Sequence, residues 1–195
     1  MVIGIDIDDT IAATTEIIDI YAKEYTENVL NRKFKINRVD TYDPMWAKSV
    51  YDWTEEEDKR FWNLYYEKVM KNVKPKENAV KIINELFNQH RIIIVTARWE
   101  KNTNAKKITE TWLKKNNIHY HKLYLNYQDK KELIKEIKIE LFIDDSVKFC
   151  EDMENLGIKT FIMSSRINKE INTGKAIRVK NWIEIYEKIC TNEDK

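Results

Sequence analysis

The chain has 195 residues, enough for one domain or for one domain carrying a modest insertion. Its apolar fraction of 43% can supply an ordinary packed core, and 34 basic residues against 33 acidic ones leave a formal net charge of +1. That balance removes any electrostatic reason to expect binding to a nucleic-acid polymer or a membrane surface, and two cysteines without paired spacing give no disulfide framework or zinc site.

Residues 2–7 alternate Val and Ile with Gly and Asp, and read as a short buried strand ending at acidic residues. From about 14 to 31, Ile17, Ile18, Tyr21, Tyr25 and Val29 recur at helical spacing. The stretch 35–53, with Tyr42-Asp43-Pro44, reads as irregular. Thr54 and Glu57 form a capping box that opens a helix through Phe61, Trp62, Tyr65, Tyr66 and Val69. A third helix is expected over about 77–89. The period then changes. Ile92-Ile93-Ile94-Val95 is the β-branched run of a strand buried on both faces of a parallel sheet. Helices at about 103–116, 129–138, 146–156 and 181–190 alternate with strands at 122–126, 140–144, 159–163 and 176–179, and Gly157 stands where a helix C-cap glycine belongs. The economical architecture is an α/β, Rossmann-like core of residues 1–13 and 76–195, with a helical insertion at 14–75.

Four polar groups fall at the carboxyl ends of the expected strands, where open α/β sheets bind ligands. They are Asp6-Ile7-Asp8-Asp9-Thr10, Thr96-Ala97-Arg98, Lys130, and Asp144-Asp145-Ser146. Each alone has an ordinary structural reading as a turn, a helix cap or a charged first helical turn. Together, at one edge of one sheet, they form a chemical site. Carboxylates converging there repel one another unless a cation is present, and Asp6, Asp144 and Asp145 offer the hard oxygen ligands that Mg²⁺ accepts. Thr96, Lys130 and helix-start N–H groups would receive phosphoryl oxygens.

These motifs resemble those of the haloacid dehalogenase superfamily of phosphatases. Ile3-Gly4-Ile5-Asp6-Ile7-Asp8-Asp9-Thr10 is similar to its first motif, hhhDxDxT, and Ile93-Ile94-Val95-Thr96 to its second. Lys130 resembles the third motif, and Leu141-Phe142-Ile143-Asp144-Asp145 the fourth. Thr96-Ala97-Arg98, Thr111 to Ile118, and the spacing of Asp129-Lys130 ahead of Asp144-Asp145 are similar to the 5′(3′)-deoxyribonucleotidase, cytosolic type C, group and its bacterial and phage relatives. The resemblance implies a parallel sheet flanked by helices, with residues 14–75 as a small C1-type cap. It implies Asp6 as nucleophile, Asp8 as general acid and base, and Mg²⁺ held by Asp6, the backbone carbonyl of Asp8, and Asp144 and/or Asp145. Thr96 and Lys130 would hold the phosphate, with the N–H groups of Ala97 and Asp9 as candidate donors, and Lys131 is the neighbouring alternative to Lys130.

Arg98 could contact phosphate or form an ion pair inside the core. Phe61, Trp62, Tyr65 and Tyr66 follow a helical stripe and read as the cap's own core, whereas Tyr42, Trp46 and Trp53 are the better candidates for facing a base. The expected substrate is a small phosphomonoester, a nucleoside monophosphate first and a sugar phosphate second. A phospho-acceptor receiver module is the remote alternative, because receivers lack a long insertion after the first strand. No apolar run spans a bilayer and no basic leader precedes the first strand, so a soluble cytoplasmic protein is expected; oligomeric state, a homodimer included, stays open.

Overall fold

The computed structural model describes residues 1–38, 46–98, 104–125 and 131–190, without the side chains of 46, 131 and 132. Its frame is a parallel sheet of β1 (Val2–Ile5), β2 (Arg91–Thr96), β3 (Lys122–Leu125), β4 (Leu141–Asp144), β5 (Lys159–Met163) and β6 (Ile177–Val179). The strand order is β3-β2-β1-β4-β5-β6, so the winding reverses between β1 and β4. That reversal opens a crevice at the carboxyl ends of those two strands.

The helices are α1 (Thr14–Asn28), α2 (Trp46–Tyr51), α3 (Glu55–Asn72), α4 (Ala79–Phe87), α5 (Ala105–Lys115), α6 (Lys131–Ile137), α7 (Val147–Asn155) and α8 (Trp182–Cys190). Strand alternation assigns the two sheet faces. Ile3, Ile5, Ile92, Ile94 and Ile143 pack on α4, α5 and α8, while Ile93, Val95 and Phe142 pack on α6 and α7. Gly157 takes φ +75° just after α7, and Ile158 N–H donates to the Met153 carbonyl at 3.0 Å, a Schellman closure.

A separate apolar cluster joins Ile18, Ala22 and Tyr25 of α1, Val50 and Tyr51 of α2, and Phe61, Tyr65 and Val69 of α3. The capping box at the start of α3 is present, with Thr54 Oγ1 accepting from Glu57 N–H at 3.2 Å and Glu57 Oε2 accepting from Thr54 N–H at 2.9 Å. Helix α2 lies inside the stretch read from sequence as irregular. Six residues show too little periodicity to be recognised, and burial of Ala47, Val50 and Tyr51 supplies what propensity does not. The two chain crossings between this helical unit and the sheet are tied together, Ala13 N–H donating to Lys74 O at 2.9 Å and Lys76 N–H to Ile11 O at 2.7 Å. No helix among the described residues is long and apolar enough to cross a membrane.

Candidate active site

Asp6 follows β1 directly, and its N–H continues the ladder to Ile143 O at 2.9 Å. Asp144 closes β4, and Asp145 follows it. The register Ile5 to Ile143 therefore sets Asp6 opposite Asp144 at the switch point. Asp6 is 6% exposed and Asp144 1%. Carboxylate oxygens of Asp6, Asp144 and Asp145 all lie within 4.8 Å of one another. Three anionic groups so close, two of them almost wholly buried, repel one another. An all-oxygen donor set of this kind fits a hard divalent cation, which would offset that repulsion. Asp144 Oδ1 also accepts from Ser146 N–H at 2.8 Å.

Asp8 is held differently. Its carboxylate receives Arg98 Nε at 2.9 Å and Nη2 at 2.8 Å, a two-pronged pair, and Thr14 Oγ1 of α1 at 2.7 Å. The Arg98 side chain is 1% exposed and that of Asp8 31%. Burial works against the guanidinium charge, but the adjoining Asp8 carboxylate, with Tyr66 and Asp6 acting in the same direction, outweighs it, so the Arg98 pKa lies above the usual arginine value. The guanidinium carbon sits 5.5 Å from the Trp112 ring centre, and Trp112 Nε1 donates to Val73 O at 2.7 Å, where α3 returns to the core. Nη1 of Arg98 is buried with no hydrogen-bond partner among the described residues. Of the two roles open to Arg98 in the sequence, the geometry thus carries the ion pair, with Asp8 as the partner.

Thr96 ends β2 and is fully buried; its Oγ1 accepts from Arg98 N–H at 3.3 Å, leaving the hydroxyl hydrogen available to another acceptor. Ala97 is half-buried between them. Asp9 adopts φ +51°, a left-handed conformation that aspartate tolerates, and its carboxylate accepts the backbone N–H and the hydroxyl of Thr15. It caps α1 in this way, and burial raises its pKa. Lys130 and Tyr42 lie outside the described residues, as does the side chain of Trp46.

Trp53, a sequence candidate for facing a base, is instead 5% exposed within the α1–α3 cluster. Its ring meets Tyr25 edge-on at 5.2 Å and Phe61 at 4.8 Å, and Nε1 donates to Thr26 Oγ1 at 3.0 Å. The irregular sequence around Trp53 gave no period from which that burial could be read. Phe61 and Tyr65 stack at 5.2 Å in the same cluster. Tyr66 is only half-buried, and its phenol interacts electrostatically with Arg98. The helical stripe alone does not reveal that reach towards the acidic centre.

Residues 1–194 match the protein family described as 5′ nucleotidase, deoxy (pyrimidine), cytosolic type C. The chain is 27% identical over 196 residues to "Putative nucleotidase YqfW" of Bacillus subtilis (strain 168), covering 98% of this chain and 94% of that relative. It is 26% identical over 132 residues to "Nucleotidase CA_C3379" of Clostridium acetobutylicum, covering 67% of each. The fold is similar to that of a haloacid dehalogenase-like hydrolase, SP0104 from Streptococcus pneumoniae, with TM-score 0.68 and 14% identity over 96% of this chain and 97% of that one.

Proposed function

The chain belongs to the cytosolic type C 5′-nucleotidase family, and we propose that it is a Mg²⁺-dependent nucleotidase that removes phosphate from nucleoside monophosphates, deoxyribonucleotides included. Family membership makes it a hydrolase of phosphomonoesters. The observation that carries the finer reading is the convergence of Asp6, Asp144 and Asp145 within 4.8 Å, with Asp8 held beside them by Arg98.

In this reading the Asp6 carboxylate attacks phosphorus in line, the ester P–O bond breaks, and Asp8 gives a proton to the departing alkoxide. Asp8 then takes a proton from water, which attacks the aspartyl-phosphate and regenerates Asp6 with release of phosphate. Mg²⁺, held by Asp6, the backbone carbonyl of Asp8, and Asp144 and/or Asp145, would offset the repulsion between an anionic nucleophile and an anionic substrate. Thr96 donates its hydroxyl to a phosphoryl oxygen, with Lys130 and the N–H groups of Ala97 and Asp9 as further phosphate donors. Arg98 and Thr14 fix the direction of the Asp8 carboxylate. Residues 14–75 act as the cap that selects the leaving group, with Trp46 as a candidate contact to it. Two cysteines without paired spacing suit a reducing, cytoplasmic setting.

A panel of nucleoside monophosphates and sugar phosphates, assayed for phosphate release with and without Mg²⁺, tests the reading. Mg²⁺-dependent turnover should be fastest on nucleotides, and Asp6→Asn should lower it by about a thousandfold or more. Sugar phosphates turned over far faster than any nucleotide would sink the substrate assignment. Wild-type hydrolysis by Asp6→Asn would sink the mechanism.

A further inference from the structure

Asn168 lies in the loop after β5, far in sequence from every acidic residue of the site, yet it is 3% exposed and bonded on all sides. Its Nδ2 donates to Asp145 O at 2.6 Å and to Met163 O at 2.9 Å. Its Oδ1 accepts from Ser165 N–H at 3.0 Å and from Arg178 Nη1 at 2.9 Å. Two carbonyls on one side and two N–H donors on the other admit only one orientation of the amide, and they exhaust its hydrogen-bonding capacity. Arg178, on β6, braces the far side. Its Nη2 donates to Asn168 O at 3.1 Å and Ile171 O at 2.8 Å, and its Nη1 also reaches Ser164 Oγ at 3.2 Å.

The bond to Asp145 O grips one end of the Asp145–Ser146 peptide. The N–H at the other end of that same peptide donates to Asp144 Oδ1 at 2.8 Å. A peptide unit is planar, so fixing its carbonyl fixes the direction of its N–H. A donor on the oxygen also polarises the N–H and strengthens what it gives. Ser146, the N-cap of α7, makes no side-chain capping bond, so this turn is not fastened by its own cap residue. The chain of contacts runs from Arg178 to Asn168, through one peptide, to the carboxylate of Asp144.

We propose that Asn168, braced by Arg178, is a positioning residue that sets the Asp144 carboxylate, and through the same turn Asp145, for binding a divalent cation. The proposal rests on the functional reading above, since it concerns how tightly those carboxylates hold Mg²⁺. Groups that orient metal ligands from behind typically change metal affinity by about 10–100-fold when removed. A residue that merely closes a loop would lower stability and leave the affinity of the folded protein where it was.

The test is calorimetric titration of Mg²⁺ into substrate-free full-length protein, with melting curves recorded in the absence of Mg²⁺. Asn168→Ala should weaken Mg²⁺ binding by about 10–100-fold, and excess Mg²⁺ should recover most of the lost kcat on a nucleoside monophosphate. Arg178→Lys keeps the charge but loses the fork, and should shift binding in the same direction by a smaller factor; it decides the matter if Asn168→Ala does not fold. Binding within twofold of the unmutated protein in a folded variant overturns the inference alone. An unmutated protein that takes up no Mg²⁺ overturns the functional reading, and this inference with it.

Discussion

Adding one methyl group at Gly4 should destabilise the protein by about 2 kcal/mol. Gly4 lies in β1, paired with Ile93 on one side and Phe142 on the other. A Cβ there would run into Phe142 Cδ2, and would stand 2.7 Å from both Ile139 Cδ1 and Phe142 Cε2. Ordinary carbon contacts lie near 3.5–4.0 Å, so more than an ångström must be found. The Phe142 ring cannot supply it freely, being fully buried among Ile93, Val95, Ile134 and Met153. Overpacking of this kind costs about 1–3 kcal/mol, and the upper end applies here. Loss of glycine's freedom in the unfolded chain returns about 0.4–1 kcal/mol, which leaves roughly 2 kcal/mol, or about 4–8 °C in Tm for a chain of this size. Urea unfolding of Gly4→Ala gives the number, and the double variant with Phe142→Leu should recover at least about 1 kcal/mol as a coupling energy. A change below about 0.5 kcal/mol, or no coupling between the two sites, would refute the packing argument.

Arg98→Met removes both prongs from Asp8 while the Thr14 hydroxyl still donates to it; kcat on a nucleoside monophosphate should fall by about 100-fold, with KM moving less than about threefold. A rise in KM at unchanged kcat would instead assign Arg98 to phosphate binding. Alkaline pH should loosen the helical unit: burial first, and then the bond to Glu24, push the Tyr65 phenol from 10.0 up to about 12, and burial raises Tyr25 and Tyr51 as well. The fold favours the neutral phenol, so this contribution is complete below pH 10 and is lost as pH climbs towards 12. Urea midpoints at pH 9, 10 and 11 should fall, and Tyr65→Phe should flatten part of the decline; a constant midpoint would contradict it.

The sheet and the acidic centre are legible in the sequence because both are written locally. Ile92 to Val95 is a continuous β-branched run, and Asp6 and Asp144 stand at the ends of short apolar strands, so the strand ends can be read without any partner. What escapes is whatever depends on distant partners. Arg98 is visible as a candidate, but its ion-pair partner Asp8 stands ninety positions away in sequence. Trp53 sits in a stretch without periodicity, and only the rings of Tyr25 and Phe61 show that it is interior. Asn168 and Arg178 belong to no motif, and their meaning comes from the turn at Asp145 that the β4-to-β5 pairing brings alongside them.

Two kinds of support meet at this site, and they match the two tasks assigned to its carboxylates. Asp6 and Asp144 are anchored by the sheet itself, through the ladder bond from Asp6 N–H to Ile143 O and the buried strand that ends at Asp144. A close-packed sheet deforms little, so the groups assigned to the cation and to phosphorus are held where small displacements are expensive. Asp8 is steered by side chains instead: Thr14 on α1, and Arg98 seated on Trp112, whose indole N–H is bonded to Val73 O where α3 rejoins the core. A shift of the helical unit against the core therefore reaches Asp8 through two separate contacts, while Asp6 and Asp144 stay tied to the strands. In the functional reading, the proton donor to the leaving group is the carboxylate whose orientation follows the cap, and the cap is the part that meets the leaving group.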